Sequence, residues 1–311
     1  MTKRIGFIGI GLMGHGMAKN LLDKGFSVTT MAHRNRTPLD DLLDRGATEA
    51  ASYRAIAEQS DIVFICVTGA PEVEAVIYGD GGSGGDGGDG VLAGARPGLI
   101  VVDCSTSEPA MTARVHRDLT AKDAAMADAP LARTPIEAEA GRLNTMVGAS
   151  EETFAAIEPA LKTFCENIFH VGAVGAGHKT KLIYNFLAMG QAGLIAEALC
   201  ACAATGVGLD EFAEVVSAGG ANSGIFQLLV PKLLAEGAYT GLQFSLANAE
   251  KDLRYYTQMT GAVPLAGSLG KSVHDTLRQG LALGFDEGLV GSLIAAQAKL
   301  NGVDIVGQRA R

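Results

Sequence analysis

Six residues near the start of the chain, Gly9-Ile10-Gly11-Leu12-Met13-Gly14, constrain its fold more than any other feature. The stretch from Lys3 to Ile10 is apolar and of strand type. Met17, Ala18, Leu21 and Leu22 then recur at helical spacing. A G-x-G-x-x-G set between a strand and a helix is the context in which the motif indicates dinucleotide binding. Gly9 permits the tight turn, Gly11 lets the backbone approach a pyrophosphate, and Gly14 allows the helix to lie close on the strand. The N–H groups and dipole at the helix start hold the phosphates. Leu12 and Met13, between these glycines, are expected against the cofactor as well.

Strand-like and helix-like stretches alternate after this turn. Residues 27–31 read as a strand, 39–45 as a helix, and 62–67 (IVFICV) and 99–103 (LIVVD) as buried strands, with Gly- or Asp-containing turns between them. Shorter strands are expected at 144–147 and 168–170. From about Gly177 the character changes to Ala/Leu-rich helical stretches, led by a helix from 178 to about 204 that is apolar on most faces. The expected fold is therefore α/β. It has an N-terminal Rossmann-type doubly wound sheet over residues 1–176, a long linking helix, and an all-α C-terminal domain over 177–311 for substrate and oligomerisation. A low-complexity segment, residues 79–90, alternates Gly with Asp and Ser. Without a regular repeat or a terminal Glu it reads as a surface insertion, not a calcium loop.

A net charge of −9 argues against a general nucleic-acid or membrane-surface binder, and 48% hydrophobic residues can fill two cores. The longest apolar run, 181–207, is interrupted by Asn185, Gln191 and Glu197. No run reaches the roughly 18 residues of a membrane span. The five cysteines, Cys66, Cys104, Cys165, Cys200 and Cys202, have neither C-x-x-C nor metal spacing. They read as reduced core residues of a cytoplasmic protein with no metal site.

The dinucleotide type follows from the end of the second strand. An NAD site usually presents Asp or Glu there to the ribose 2′-OH. This chain instead reads Ala32-His33-Arg34-Asn35-Arg36-Thr37. Arginine forks match a phosphate that a carboxylate would repel. The expectation is NADP(H) in preference to NAD(H), with Arg34 and Arg36 as clamps and His33 and Asn35 beside them.

Four further segments carry a resemblance. They are Asp103-Cys104-Ser105-Thr106-Ser107-Glu108-Pro109; Asp128-Ala129-Pro130-Leu131-Ala132-Arg133-Thr134-Pro135 with Ala140-Gly141-Arg142-Leu143; Gly172 through Gly175, Gly177 and Lys181 to Asn185; and Phe244 through Lys251-Asp252-Leu253. Together with the glycine turn they resemble the β-hydroxyacid dehydrogenase family, in the family's order and over nearly the whole chain. The resemblance implies that Ser105 and Thr106 touch substrate and nicotinamide, although Ser105-x-x-Glu108 also has the form of a capping box. It implies that Lys181 handles the proton and Asn185 orients substrate, the two sharing a helix face. It also implies that Lys251 reaches across the domain cleft to the cofactor, and that Thr68 contacts the cofactor after the third buried strand. The second segment departs from the family's usual Ser-Gly-Gly, having Ala132-Arg133-Thr134. This resembles the sulfolactaldehyde reductase variant, so Arg133, with Thr134, is expected to bind a carboxylate or sulfonate of the substrate.

The implied activity is NADP(H)-dependent interconversion of a small anionic β-hydroxy acid and its aldehyde or keto form, with reduction the favoured direction. The partners are that small molecule and further copies of the chain, as a homodimer or homotetramer. Two alternatives stay open: an imine reductase, and a non-catalytic NADP(H) sensor or scaffold. Lys181 and Arg133 argue against the first, and Lys181 with Asn185 against the second.

Overall fold

The computed structural model describes residues 3–79 and 88–307. Residues 80–87, most of the Gly/Asp-rich segment, lie outside the described residues. Contacts divide the chain into two compact units, Met1–Lys181 and Leu182–Arg311.

Among the described residues the first unit has nine strands: β1 (Ile5–Ile8), β2 (Val28–Thr30), β3 (Thr48–Glu49), β4 (Ile62–Ile65), β5 (Ile100–Asp103), β6 (Ala125–Asp128), β7 (Leu131–Ala132), β8 (Leu143–Gly148) and β9 (Cys165–Gly172). Its helices are α1 (Gly14–Asp23), α2 (Thr37–Asp44), α3 (Tyr53–Gln59), α4 (Ala70–Tyr78), α5 (Pro109–Thr120), α6 (Pro135–Glu139) and α7 (Glu151–Phe164). The sheet order is β3-β2-β1-β4-β5-β6-β8-β7, with β9 on β8. β3 to β6 along this order are parallel, and β8 runs antiparallel to both β6 and β7. The 3-2-1-4-5-6 core of that order is the doubly wound arrangement, in which ligands collect beyond the strands' carboxyl ends where the order reverses.

Burial on both faces explains why these strands are continuously apolar. Side chains alternate between two cores. Ile5, Phe7, Ile62, Phe64 and Val102 face one with α1 and α7. Ile8, Val63, Ile65 and Val101 face the other with α3, α4 and α5. Phe64 stands between Phe7, with centroids 6.2 Å apart, and Phe164, at 5.6 Å and nearly perpendicular.

The second unit is helical, as expected. α8 (Ala176–Thr205) begins in the first unit and continues into the second. It is followed by α9 (Leu209–Ala218), α10 (Gly224–Glu236), α11 (Leu246–Gly261), α12 (Ser268–Ala282) and α13 (Ser292–Asn301). Phe186 of α8 stacks on Tyr256 of α11 at 4.5 Å. Tyr256 in turn lies so close to Gly270 of α12 that a Cβ there would come within 2.6 Å of the ring. By length and composition α8 is apolar enough to cross a membrane, contrary to the count made on the interrupted run. The core helix of a soluble protein meets the same criteria.

Among the described residues the five cysteines are free. Burial pushes the Cys66 thiol up to about 12 and the Cys104 thiol well above its ordinary range. Desolvated thiols of this kind are poor nucleophiles. No group of three or more His, Cys, Asp or Glu side chains is placed to hold a metal among the described residues.

Candidate active site

The glycine turn sits at the switch between β1 and β4. Gly9 has φ +96° and packs against the strand end after β4, where a Cβ would lie 2.1 Å from the Cys66 carbonyl oxygen. At Gly14 a Cβ would meet the Gly9 carbonyl oxygen at 1.9 Å, so the start of α1 tolerates no side chain there. Gly11 is different, since among the described residues nothing lies within 4 Å of the position a Cβ would take. Leu12 beside it is 83% exposed, and no side chain caps α1. An open glycine at an uncapped helix N-terminus fits a pyrophosphate, which would take the backbone N–H groups that no side chain claims.

At the end of β2, His33, Arg34, Asn35 and Arg36 are exposed. Asn35 Oδ1 accepts from the Thr37 amide at 3.1 Å. Arg36 differs from the expected open clamp. Its Nη1 and Nη2 donate to the two carboxylate oxygens of Glu49 at 2.8 and 2.7 Å, and its Nε lies 3.2 Å from Asp40. Hydrogen bonding to Arg36 holds the Glu49 carboxyl below its ordinary range. Glu49 escaped the sequence reading because β3 is only two residues long. Its register, Glu49 beside Thr30, brings a carboxylate to the strand end where none follows β2 directly. Arg34 is exposed and makes no ion pair among the described residues.

The segment after β5 is more tightly built. Ser105 is buried, its Oγ accepting from the Val67 amide at 3.0 Å and its own amide donating to Asp103 Oδ1 at 2.9 Å. The capping-box form is not realised. α5 starts at Pro109 with Glu108 as N-cap and no side-chain capping bond. Thr106 is half-buried, and Thr68 is exposed on the loop after β4.

Asp128, at the end of β6, holds the start of α8. Its Oδ1 accepts from the Gly175 amide at 2.6 Å and its Oδ2 from the His178 amide at 2.7 Å. Such an anion satisfies otherwise orphaned N–H groups and matches the helix dipole. Gly177 is needed for the same approach, since a Cβ would lie 2.4 Å from the Met146 carbonyl oxygen and 2.5 Å from that of Asp128. The glycine spacing before Lys181 thus reflects the seating of a helix on strand ends. Lys181 is buried one turn further on, and Lys179 is exposed. In the second unit Asn185 is also buried and donates through Nδ2 to Asp252 Oδ2 at 2.6 Å. The other oxygen of Asp252 lies 3.3 Å from Lys251 Nζ. One buried carboxylate therefore holds two of the residues singled out in sequence. Asp103, Asp128, His178 and Asp252 were not singled out, because a buried polar residue inside a motif is indistinguishable in sequence from its exposed neighbours.

Arg133 and Thr134, expected beside a substrate anion, both have partners within the protein. Arg133 takes φ +82°, in the left-handed region where the family's usual segment has glycine. Its Nη1 donates to the Arg142 carbonyl oxygen and to Glu166 of β9. The fork is thus turned to an exposed ion pair instead of an open anion site. Thr134 is the N-cap of α6 in a reciprocal capping box with Glu137, so its hydroxyl is already engaged. Left-handed backbone costs a non-glycine residue roughly 1–2 kcal/mol, and glycine adds roughly 0.5–1 kcal/mol of unfolded-chain entropy. An exposed pair contributes little. Arg133→Gly is therefore expected to raise Tm by a degree or more in scanning calorimetry. A fall would show that the Glu166 pair outweighs the strain.

Residues 4–172 match the family described as the NAD-binding domain of 6-phosphogluconate dehydrogenase, and residues 175–289 that described as NAD-binding of NADP-dependent 3-hydroxyisobutyrate dehydrogenase. The chain is 30% identical to 2-(hydroxymethyl)glutarate dehydrogenase of Eubacterium barkeri, over 98% of each chain. It is 29% identical to 3-sulfolactaldehyde reductase of Escherichia coli strain K12, over 90% of this chain and 91% of that one. Among solved structures, 3-hydroxyisobutyrate dehydrogenase of Mycobacterium tuberculosis superposes with a TM-score of 0.84 at 26% identity, covering 95% of this chain and 99% of the other. An imine reductase from Pseudomonas sp. matches at 0.51 and 19% identity, covering 95% of this chain and 99% of that one, a likeness of fold alone. With a dinucleotide-binding turn, a seated Lys181 helix and full-length relatives that are dehydrogenases and reductases, the chain belongs to the β-hydroxyacid dehydrogenase family of NAD(P)-dependent oxidoreductases.

Proposed function

We propose that the protein reduces a small anionic aldehyde or keto acid to the corresponding β-hydroxy acid with NADPH, and that Lys181 carries the proton. The observation that bears most weight is the placement of Lys181. It is a buried lysine on the first turns of a helix anchored by Asp128, in the same unit as the Ser105 loop. The nicotinamide nucleotide would supply or accept the hydride. Lys181 donates a proton to the nascent alkoxide in reduction and removes it in oxidation, its charge favouring the oxyanion in a water-poor site. Ser105 and Thr106 line the substrate side, and Asn185 orients the substrate. Lys251 serves the cofactor, as do Gly9, Gly11, Leu12, Met13, Gly14 and Thr68. Turnover of NADPH with succinic semialdehyde, glyoxylate, tartronate semialdehyde, sulfolactaldehyde and one cyclic imine tests this reading. Reduction of a cyclic imine alone would favour imine reductase, and binding of NADPH without any turnover would favour a sensor.

The preference for NADP(H) rests on Arg34, with Arg36 available only when it leaves Glu49. Arg34→Ala combined with Arg36→Ala is expected to raise KM for NADPH while barely moving that for NADH. Glu49→Gln, which releases Arg36, is expected to lower KM for NADPH. Equal changes for both nucleotides would remove the 2′-phosphate assignment.

A second copy of the chain is the proposed partner. Tyr184, Leu187 and Leu194 are exposed on one face of α8, and Tyr184 and Leu187 line an apolar cleft with Ile225 and Leu228 of α10. Exposed apolar surface of this kind marks an interface. Leu187→Asp should shift the chain toward monomer in sedimentation velocity. The free thiols, four of them buried and Cys66 half-buried, suit a reducing cytoplasm.

A further inference from the structure

His178 is wholly buried and lies three residues before Lys181 on the first turns of α8. Its ring joins three elements of the first unit. Nε2 meets the Ser105 carbonyl oxygen at 3.1 Å, and Nδ1 meets Thr112 Oγ1, on α5, at 2.7 Å. A carbonyl only accepts, so Nε2 carries a proton and donates. The Thr112 hydroxyl also reaches the Glu108 carbonyl oxygen, at 3.2 Å. Two buried carboxylates flank the ring, Asp103 Oδ2 at 3.8 Å from Nε2 and Asp128 Oδ2 at 3.8 Å from Nδ1. Asp103 binds the Ser105 amide and Asp128 binds the His178 amide. Ser105 is therefore held at both of its backbone polar groups, at the amide by Asp103 and at the carbonyl by His178.

We infer that His178 is a positioning residue that sets the Ser105–Thr106 segment against the turn carrying Lys181. This rests on the proposed roles of Ser105 and Lys181. The physical reason is that Ser105 hangs from a loop, whereas Lys181 rides a helix anchored on β6. Without a bond between them the two groups would be located independently. Misplacement by about 1 Å in such a pair lowers rate on the order of 10²-fold. The inference does not require His178 to touch substrate or cofactor.

The distinguishing variants differ in reach. Gln places an amide N–H where Nε2 lies and can still donate to the Ser105 carbonyl, whereas Asn reaches only the Nδ1 position. Thr112→Val removes the hydroxyl that orients the ring while keeping its shape. The full chain would be compared for reduction of the four aldehydes, for NADPH affinity by fluorescence, and for hydrogen–deuterium exchange at residues 103–112. His178→Asn is expected to lose kcat on the order of 10²-fold, with NADPH affinity retained and exchange rising selectively at 104–108. His178→Gln should recover most of both, and Thr112→Val should fall between. The inference is overturned if Asn and Gln variants behave alike, or if exchange at 104–108 is unchanged. It also falls if kcat and NADPH affinity decline together with Tm, which is what a purely structural residue would give. Should the wild type reduce none of the aldehydes, the proposed substrate class fails, while selective exchange in the Asn but not the Gln variant still decides the role of His178.

Discussion

Lys181→Met is expected to lower kcat by about 10²–10⁴-fold, the contribution of general acid–base assistance, while NADPH affinity changes little. Methionine keeps the length and apolar stem of lysine but has neither the ammonium nor its proton. Lys181 is buried, so water cannot readily replace it as donor. Lys181→Arg separates two parts of its role. A guanidinium keeps the charge but cannot give up its proton near neutrality, so it retains oxyanion stabilisation and loses proton transfer. It is expected to recover only part of the rate in reduction and less in oxidation. Single-turnover measurement of NADPH consumption gives the chemical step directly. A methionine variant with near wild-type rate would require another proton donor and would remove Lys181 from the mechanism.

The nucleotide-binding half was legible because its physics is local. The run Ile5–Ile8, the glycine turn and the apolar spacing of α1 are neighbours in the chain and neighbours in space. That Lys181 and Asn185 share one helix was legible for the same reason, the two being one turn apart. β6, with the sequence Ala-Met-Ala-Asp, was not, since two alanines carry little strand preference and its burial comes from β5 and β8. Contacts between distant segments were equally hidden. Arg36 with Glu49, Arg133 with Glu166, and Asn185 with Asp252 are separated by 13, 33 and 67 positions. In the first two, an arginine read as a ligand for a phosphate or a substrate anion has a protein carboxylate as its partner. A sequence displays the donor and leaves its acceptor undetermined. The Arg133 backbone makes the same point from the other side. Its substitution for glycine was visible, but the left-handed conformation that makes the substitution costly was not.

Asp128→Ala is expected to be the most destabilising single change in the site and to disable catalysis through geometry. The carboxylate accepts two amides at 2.6 and 2.7 Å and is fully buried. Truncation leaves both N–H groups without an acceptor, at roughly 1–3 kcal/mol each, and removes the anion that faces the α8 dipole. A loss of about 3–5 kcal/mol is expected, which corresponds to a Tm decrease on the order of 10 °C for a unit of this size. Asp128→Asn keeps one acceptor oxygen but turns an amide group toward a backbone N–H, so donor faces donor at one of the two contacts. It should recover part of the stability and show which oxygen matters more. Thermal unfolding followed with and without NADPH separates the two consequences. If α8 is anchored as described, nucleotide still stabilises the asparagine variant, because the glycine turn is intact, while its kcat falls with the displaced Lys181. An alanine variant that melts with the wild type would mean that the N–H groups of Gly175 and His178 find other acceptors. Asp128 would then not be what seats the helix that carries Lys181.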